Sequence, residues 1–264
     1  MDIIVTGVSG GMGLATAKQL IRDGHRIFGL DIKAPEEQYE SLLFFQTDLR
    51  NEEAVKAAFQ SIQEKTDQIG AIIHLAGIYD LNSLVEMSEE EFLRSYEVNL
   101  FSVYRVNKTF LPLLKKGSRI LITTSELAPL SPLPFTGIYG ITKTALDAYA
   151  ISLRRELMLL GIPVIIIRPR AVDTGLLDVS TRRLEDFCEH TEHYSYNADR
   201  FRKIVAKVES RKITPERLSE LVEKALFASH PRLIYTINRN PLLLLMNILP
   251  AGLQDAALKW ILLK

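Results

Sequence analysis

Short, almost wholly apolar segments alternate with longer amphipathic ones from residue 2 to about residue 236, and this restricts the fold more than any other feature of the chain. "DIIVT", "HRIFGLD", "AIIHLAG", "SRILITTS" and "PVIIIRPR" read as strands, "SLLFFQTDL" contains another, and "RLIYTI" makes a seventh. Between them, residues 51–65 carry Ala54, Val55, Ala58, Phe59 and Ile62 at helical spacing, and a long helix is expected from about Ser88 to near Pro112. "YGITKTALDAYAISLRREL" reads as a helix, and Thr214 and Pro215 read as the N-cap and first residue of another, running to about Ser229. Strands with no polar alternation must be buried on both faces, which a parallel sheet with crossover helices on each side provides. The expected fold is therefore α/β: a doubly wound parallel sheet of about seven strands, with helices on both faces, in one domain over residues 1–264.

Formal net charge is zero, so no charge excess points to nucleic acid. The single cysteine, Cys188, cannot form an internal disulfide, which suits a reducing cytosol. Met1 stands one residue before the first strand, so no leader is expected.

That first strand runs into a turn holding Gly7, Gly10, Gly11 and Gly13. In a doubly wound sheet, ligands bind beyond the carboxyl ends of the strands, where the winding reverses. A glycine turn there lets a pyrophosphate approach the backbone and the positive end of the following helix. The turn is either such a cradle or an ordinary tight connection, and Asp31 favours the cradle. It closes the second strand, where a carboxylate accepts both hydroxyls of an adenosine ribose and repels a 2′-phosphate. NAD is the expected cofactor and NADP the less favoured one, since Gly10 brings no positive charge, although Lys33 stands near.

"YGITK" sets Tyr139 and Lys143 on one face at the start of a helix. An ammonium beside a phenol lowers its pKa from about 10. Tyr139 is then able to exchange a proton with an alcohol or carbonyl oxygen while hydride moves to or from a nicotinamide. The same Y-x-x-x-K pattern occurs at Tyr104 and Lys108, so position has to decide. Tyr139 follows the fifth strand, whose carboxyl end carries Ser125. Tyr104 lies inside a long helix without such a partner and reads as a surface or interface residue. Asn99, between Val98 and Leu100, is either a helix-packing amide or the holder of a water beside Lys143.

Together these segments resemble the short-chain dehydrogenase/reductase family, in its compact single-domain branch, over residues 2 to about 236. "TGVSGGMG" matches T-G-x-x-x-G-x-G through Thr6, Gly7, Gly11 and Gly13, with Ser9 and Met12 in the same turn. "TDL" is similar to the adenine-contacting segment, placing Asp48 and Leu49 at the ring, and "HLAG" keeps Ala76 and Gly77 of N-N-A-G. "VNL" supplies Asn99, and "RPRAVDT" resembles P-G-x-x-x-T, whose Val172 and Thr174 would lie at the nicotinamide, with Thr174 on its carboxamide. The resemblance implies a Rossmann-like NAD(P)-binding domain. Ser125 would hydrogen-bond the substrate oxygen and Tyr139 would be the general acid/base. Lys143 would hold the nicotinamide ribose and depress the phenol's pKa, which also makes Tyr139 and Lys143 cofactor contacts. Asn99 would order a water for proton relay. A homodimer or homotetramer is implied through the helix bearing Tyr139 and the long helix before it.

Two positions depart from the family pattern. His74 and Leu75 replace paired asparagines, and His74 reads as a packed core residue. Arg170 stands where the family has glycine and either reshapes the pocket or points into solvent. The expected substrate contacts are Ser125, Glu126, Phe135, Tyr139 and Leu176, with Glu126 either meeting a polar substrate group or facing water. The apolar stretch "ELAPLSPLPFTGI" either lines a pocket suited to a lipophilic secondary alcohol such as a hydroxysteroid or retinoid, or is ordinary loop packing. Residues 176–213 are the expected lid. Within it, Cys188, His190 and His193 have loosely zinc-like spacing but read as exposed lid residues, with no metal expected.

Residues 241–264 form an apolar helical tail too interrupted to span a membrane. With the basic "DRFRKIVAKVESRK" it suits an anionic membrane surface, a cover for the pocket or a subunit contact, protein packing being favoured. The expectation is an NAD-dependent oxidoreductase of lipophilic alcohols, cytoplasmic or peripheral at a membrane. The alternative is a dinucleotide-binding sensor of the same fold without turnover.

Overall fold

The computed structural model describes residues 1–263; Lys264, the end of the expected tail, lies outside the described residues. Among the described residues seven strands are present: β1 (Asp2–Thr6), β2 (Arg26–Asp31), β3 (Leu42–Gln46), β4 (Ile69–His74), β5 (Leu114–Thr123), β6 (Val164–Pro169) and β7 (Ile234–Ile237). They pair in parallel in the order β3-β2-β1-β4-β5-β6-β7. The chain builds outward from β1 to β3 and then returns to lay β4 beside β1. The winding reverses there, opening a crevice at the carboxyl ends.

The helices are α1 (Gly11–Arg22), α2 (Glu52–Gln63), α3 (Glu89–Tyr96), α4 (Ser102–Phe110), α5 (Gly137–Leu157), α6 (Gly175–His190), α7 (Ser195–Glu209), α8 (Pro215–Phe227), α9 (Pro241–Ile248) and α10 (Ala251–Leu263). Successive strand residues point to opposite sheet faces. Thus Ile4, Ile72, Ile120 and Ile166 pack toward α2, α4 and α5, while Ile3, Ile73, Leu121 and Ile165 pack toward α1 and α8. Burial on both sides is why the strands read as unbroken apolar runs.

The long helix expected from Ser88 is divided. Ser88 caps α3 in a reciprocal box with Glu91. A π-helical turn over Glu97–Phe101 then separates α3 from α4 and buries Asn99. Such turns add one residue to the helical repeat and re-aim the side chain they carry.

His74 is buried at the end of β4, with its Nε2 2.8 Å from Asn107 Oδ1. Asn107 Nδ2 donates to the Tyr149 hydroxyl at 3.2 Å. This chain of polar contacts joins β4, α4 and α5 where the family's paired asparagines are missing. Burial pushes the His74 imidazole down to about 4, against the raising effect of its bond to Asn107. An unfolded histidine titrates at about 6.5, so the unfolded chain takes the proton first. The contribution is fully present above that pH, and about 3 kcal/mol of it is lost as pH falls from about 6.5 to about 4. In denaturant unfolding, His74→Asn should lose less stability between pH 7 and pH 4 than the parent, by about that amount. Equal losses would remove His74 as an acid-sensitive group.

Candidate active site

Two cavities share a wall at the carboxyl edge of the sheet. The first is a cleft of about 630 Å³ above the β1–α1 turn. Gly7 has φ 70°, and a Cβ on it would lie 2.7 Å from the backbone of Ala76. A Cβ on Gly13 would lie 2.0 Å from the Gly7 carbonyl oxygen, and one on Gly11 would meet Thr174 at 2.8 Å. The turn therefore packs only as glycine and leaves its backbone bare toward the cleft. Gly10, at the N-cap of α1, brings no capping side chain.

On the rim, the Ser9 N–H donates to one Asp31 carboxylate oxygen at 3.0 Å and the Ile32 N–H to the other at 2.7 Å. The Ser9 hydroxyl donates to the Lys33 carbonyl at 2.5 Å. Met12, Leu49, Ala76, Gly77 and Thr174 also line the cleft, as does Asp48, whose carboxylate Arg50 holds at 2.7 Å. A bare turn at a helix N-terminus with a carboxylate at the end of β2 fits a dinucleotide, the turn for pyrophosphate and Asp31 for a ribose diol.

The second cavity, about 290 Å³ and mostly apolar, lies beneath the lid and tail helices. Ser125, Tyr139 and Lys143 all line it, beside the wall shared with the cleft. Tyr139 and Ser125 are close enough for the Ser125 hydroxyl to act on the phenol, and that hydroxyl accepts the Leu127 N–H at 3.2 Å. The Tyr139 ring meets Tyr79 edge-on, with centroids 4.5 Å apart. Lys143 Nζ lies 5.7 Å from the centre of the Tyr139 ring and donates to the Thr123 carbonyl at 3.2 Å.

Asn99 Oδ1 accepts the Ile78 N–H at 2.9 Å, and its Nδ2 donates to the Ile78 carbonyl at 3.0 Å and the Thr142 hydroxyl at 3.1 Å. A Cβ on Gly77 would stand 3.2 Å from Asn99 Oδ1 and 3.4 Å from Lys143 Nζ, so glycine lets those two groups face one spot. Behind Ser125, the Thr124 hydroxyl donates to Asp147, which Arg168 grips with two bonds of 3.0 and 2.5 Å.

Burial pushes the Tyr139 phenol up to about 12; the Ser125 hydroxyl opposes this and the Glu126 charge adds to it. Burial takes the Lys143 amine down to about 8. This corrects the expectation that Lys143 depresses the phenol. The ammonium is engaged by the Thr123 carbonyl, and burial is the largest influence on the phenol.

Other expectations also change. Phe135 is not on the cavity wall. Its backbone is left-handed, with φ 61°, and its ring packs against Phe187, Tyr194 and Phe201 at centroid distances of 5.0, 5.2 and 5.3 Å. It therefore ties α6 and α7 to the loop before α5, and the neighbouring Leu133 and Pro134 line the cavity instead. Val172 lines the apolar cavity rather than the glycine cleft, while Thr174 and Leu176 line both.

Neither Glu126 nor Arg170 reaches solvent. They form a buried pair, Arg170 Nε to Glu126 Oε1 at 3.6 Å, with side chains only 6% and 8% exposed. Glu126 Oε2 accepts the Asn240 N–H at 2.8 Å, and Arg170 Nη2 donates to the Val208 carbonyl at 3.0 Å. Burial raises the Glu126 pKa, opposed by the Asn240 bond and the charges of Arg170 and Arg239.

In the lid, Cys188 sits half-buried against the cluster that holds Phe135, Phe187 and Phe201, and His190 bonds Asp186 in solvent. Among the described residues, no three His, Cys, Asp or Glu side chains are grouped as a metal site requires. Tyr104 is exposed on α4, with Lys108 Nζ 5.6 Å from its ring centre.

The family profile described as short chain dehydrogenase matches residues 2–185, most of the sequence. The chain belongs to the short-chain dehydrogenase family. Binding of a nicotinamide dinucleotide and oxidoreductase chemistry come with that membership. This short-chain dehydrogenase is 27% identical over 230 residues to 3-ketodihydrosphingosine reductase of Bacteroides thetaiotaomicron, covering 87% of this chain and 84% of the relative. It is 28% identical to estradiol 17-beta-dehydrogenase 2 of Mus musculus, covering 97% and 74%. Retinol dehydrogenase 16 of Mus musculus is 29% identical, with 99% and 89% covered. Among solved structures, a short chain dehydrogenase family protein from Francisella tularensis superposes with a TM-score of 0.74 at 22% identity, covering 89% of this chain and 96% of that one.

Sequence reasoning does not single out Thr124, Asp147 or Arg168, which brace this short-chain dehydrogenase behind Ser125. Nor does it find Arg94, which lines the cofactor cleft and pairs with the buried Asp80 at 3.3 Å. The local hint is Asp147 itself, a second charged residue one turn beyond Lys143 on the buried face of α5.

Proposed function

We propose that this short-chain dehydrogenase interconverts a lipophilic secondary alcohol and its ketone, with NAD as the hydride carrier. One observation carries the reading: Ser125, Tyr139 and Lys143 together line an apolar cavity where it adjoins the glycine cleft. The nicotinamide, when bound, gives or takes the hydride. Tyr139 gives its phenol proton to the carbonyl oxygen in reduction and takes it back in oxidation. Ser125 holds that oxygen in place. Lys143 is the residue that would hold the ribose, and Asn99, fixed on the Ile78 backbone, suits a relay water. Asp31 favours NAD, because a carboxylate repels a 2′-phosphate and the nearby Arg50 is already engaged by Asp48. The names of the three relatives above point to sphingoid, steroid and retinoid compounds, all lipophilic. We read the whole chain as one dinucleotide-binding unit that assembles as a homodimer or homotetramer, a reading supported by the exposed Phe101 and Tyr104 at α4.

The test is absorbance-monitored reduction of steroid, retinoid and long-chain amino ketones with NADH or NADPH. Turnover is expected with at least one class, with kcat/KM at least about tenfold higher for NADH than for NADPH, as a like-charge contact would impose. A preference for NADPH would overturn the cofactor assignment. The second reading, a dinucleotide sensor, is favoured by Arg170 filling a position where the family loop carries glycine. NADH binding with no turnover across the panel would establish it.

A further inference from the structure

We propose that α9 and α10 form a membrane-docking face that lets the apolar cavity exchange its ligand with an anionic bilayer. Every residue of α9 except Asn247 is apolar, yet none is buried. Leu242, Leu245 and Ile248 are 65%, 60% and 79% exposed. On α10, Leu253, Ala256, Trp260 and Leu263 recur at helical spacing, and all four face outward. The opposite sides of the same helices line the cavity through Leu243, Met246, Leu258 and Ile261. A helix that is apolar all round belongs in a core or against an apolar phase, and here one side already serves the cavity. Leu242 belongs to both surfaces, lining the cavity while largely exposed, so the cavity wall and the outer face are continuous.

The surroundings favour a lipid surface as the occupant. Asn197 and Arg200 of α7 donate to the Leu262 and Ile261 carbonyls at 2.8 and 3.0 Å, seating α7 beside α10. That helix presents Arg202, Lys203 and Lys207 to solvent, Asp199 offsetting part of their charge, and α10 adds the exposed Lys259 and Asp255, which leaves the cations in excess. Cations beside an apolar stripe are the pattern of helices that lie in the plane of an anionic membrane. Among the described residues, no helix is long and apolar enough to cross one. A second copy of the chain fits less well. The outer face offers Leu242, Leu245, Ile248, Leu253, Trp260 and Leu263 as large apolar side chains, whereas a stable dimer engages roughly 20–30 residues per partner.

Trp260 is the single tryptophan of the chain and stands on this face, so its fluorescence reports docking directly. The full chain is titrated with vesicles of phosphatidylcholine alone and of phosphatidylcholine with phosphatidylserine. The expected result is a shift of emission to shorter wavelength, quenching by brominated lipid and co-sedimentation, all stronger when phosphatidylserine is present. L245Q/I248Q/L253Q touches none of the cavity wall. It should keep NADH binding and far-ultraviolet circular dichroism while losing vesicle partitioning by at least about tenfold.

Absence of a shift on both vesicle types would overturn the proposal, as would full partitioning of the triple variant. Equal partitioning onto both vesicle types would remove the role given to α7. A lipid-free shift that grows with protein concentration and disappears in the triple variant would assign the face to self-association instead. None of these readouts uses turnover, so the dehydrogenase reading stands or falls separately.

Discussion

Tyr139→Phe is expected to lower turnover by about 10²–10⁴-fold, the range removed with a general acid–base group, while NADH affinity and thermal stability stay close to the parent's. The ring keeps its edge-on contact with Tyr79 at 4.5 Å, so phenylalanine fills the same space. What disappears is one hydroxyl, the one beside Ser125 on the cavity wall. A phenol pushed up to about 12 keeps its proton throughout the neutral range and is ready to protonate a carbonyl oxygen. Alcohol oxidation needs the opposite state. Its rate should therefore rise with pH from neutral into the alkaline range, while ketone reduction stays level or falls. Single-turnover hydride transfer and fluorescence titration with NADH separate the two effects. Turnover within tenfold of the parent would take the proton-transfer role away from Tyr139.

How much of this is legible in the sequence depends on how local the cause is. The seven strands are legible because burial on both faces strips them of polar positions, and the glycine turn because its contacts lie within a few residues. The π turn is not, since one extra residue in a helical repeat leaves no mark in composition. Phe135 misleads for a different reason. It lies close to Tyr139 in sequence, but a left-handed backbone sends its ring into the cluster of Phe187, Tyr194 and Phe201. The Glu126–Arg170 pair needs the strand register. Thr123 pairs with Ile167, and the Glu126 N–H donates to the Pro169 carbonyl, so the register carries past the strand ends and brings Glu126 opposite Arg170. Residue-by-residue reading cannot reach that without the order of β5 and β6. The phenol's pKa shows the same limit: spacing gives the neighbouring amine, whereas burial, which outweighs it, is set by helices far along the chain.

That pair is the source of the second large effect. Arg170→Met leaves the Glu126 carboxylate buried beside its Asn240 N–H without its ion-pair partner, only the Arg239 charge still acting on it, and breaking a buried pair in this way costs about 3–5 kcal/mol. For a chain of this size, the melting temperature should fall by roughly 6–20 °C. Replacing both partners is different in kind. In E126Q/R170M the glutamine carbonyl still accepts the Asn240 N–H and no charge is buried, so most of the loss should be recovered. The pH dependence follows from the sign of the shift. Glu126 is already raised by burial, and losing Arg170 raises it further. The Arg170→Met deficit is therefore largest at neutral pH and shrinks as acid protonates the carboxyl. Glu126→Gln alone has a catalytic consequence as well. The Glu126 charge helps to hold the Tyr139 phenol high, so its removal should move the alkaline rise of alcohol oxidation to lower pH. Thermal denaturation of the two single variants and the double variant closes the cycle. If E126Q/R170M melts no higher than Arg170→Met, the two side chains do not act as a pair, and Arg170 supports α7 through the Val208 carbonyl alone.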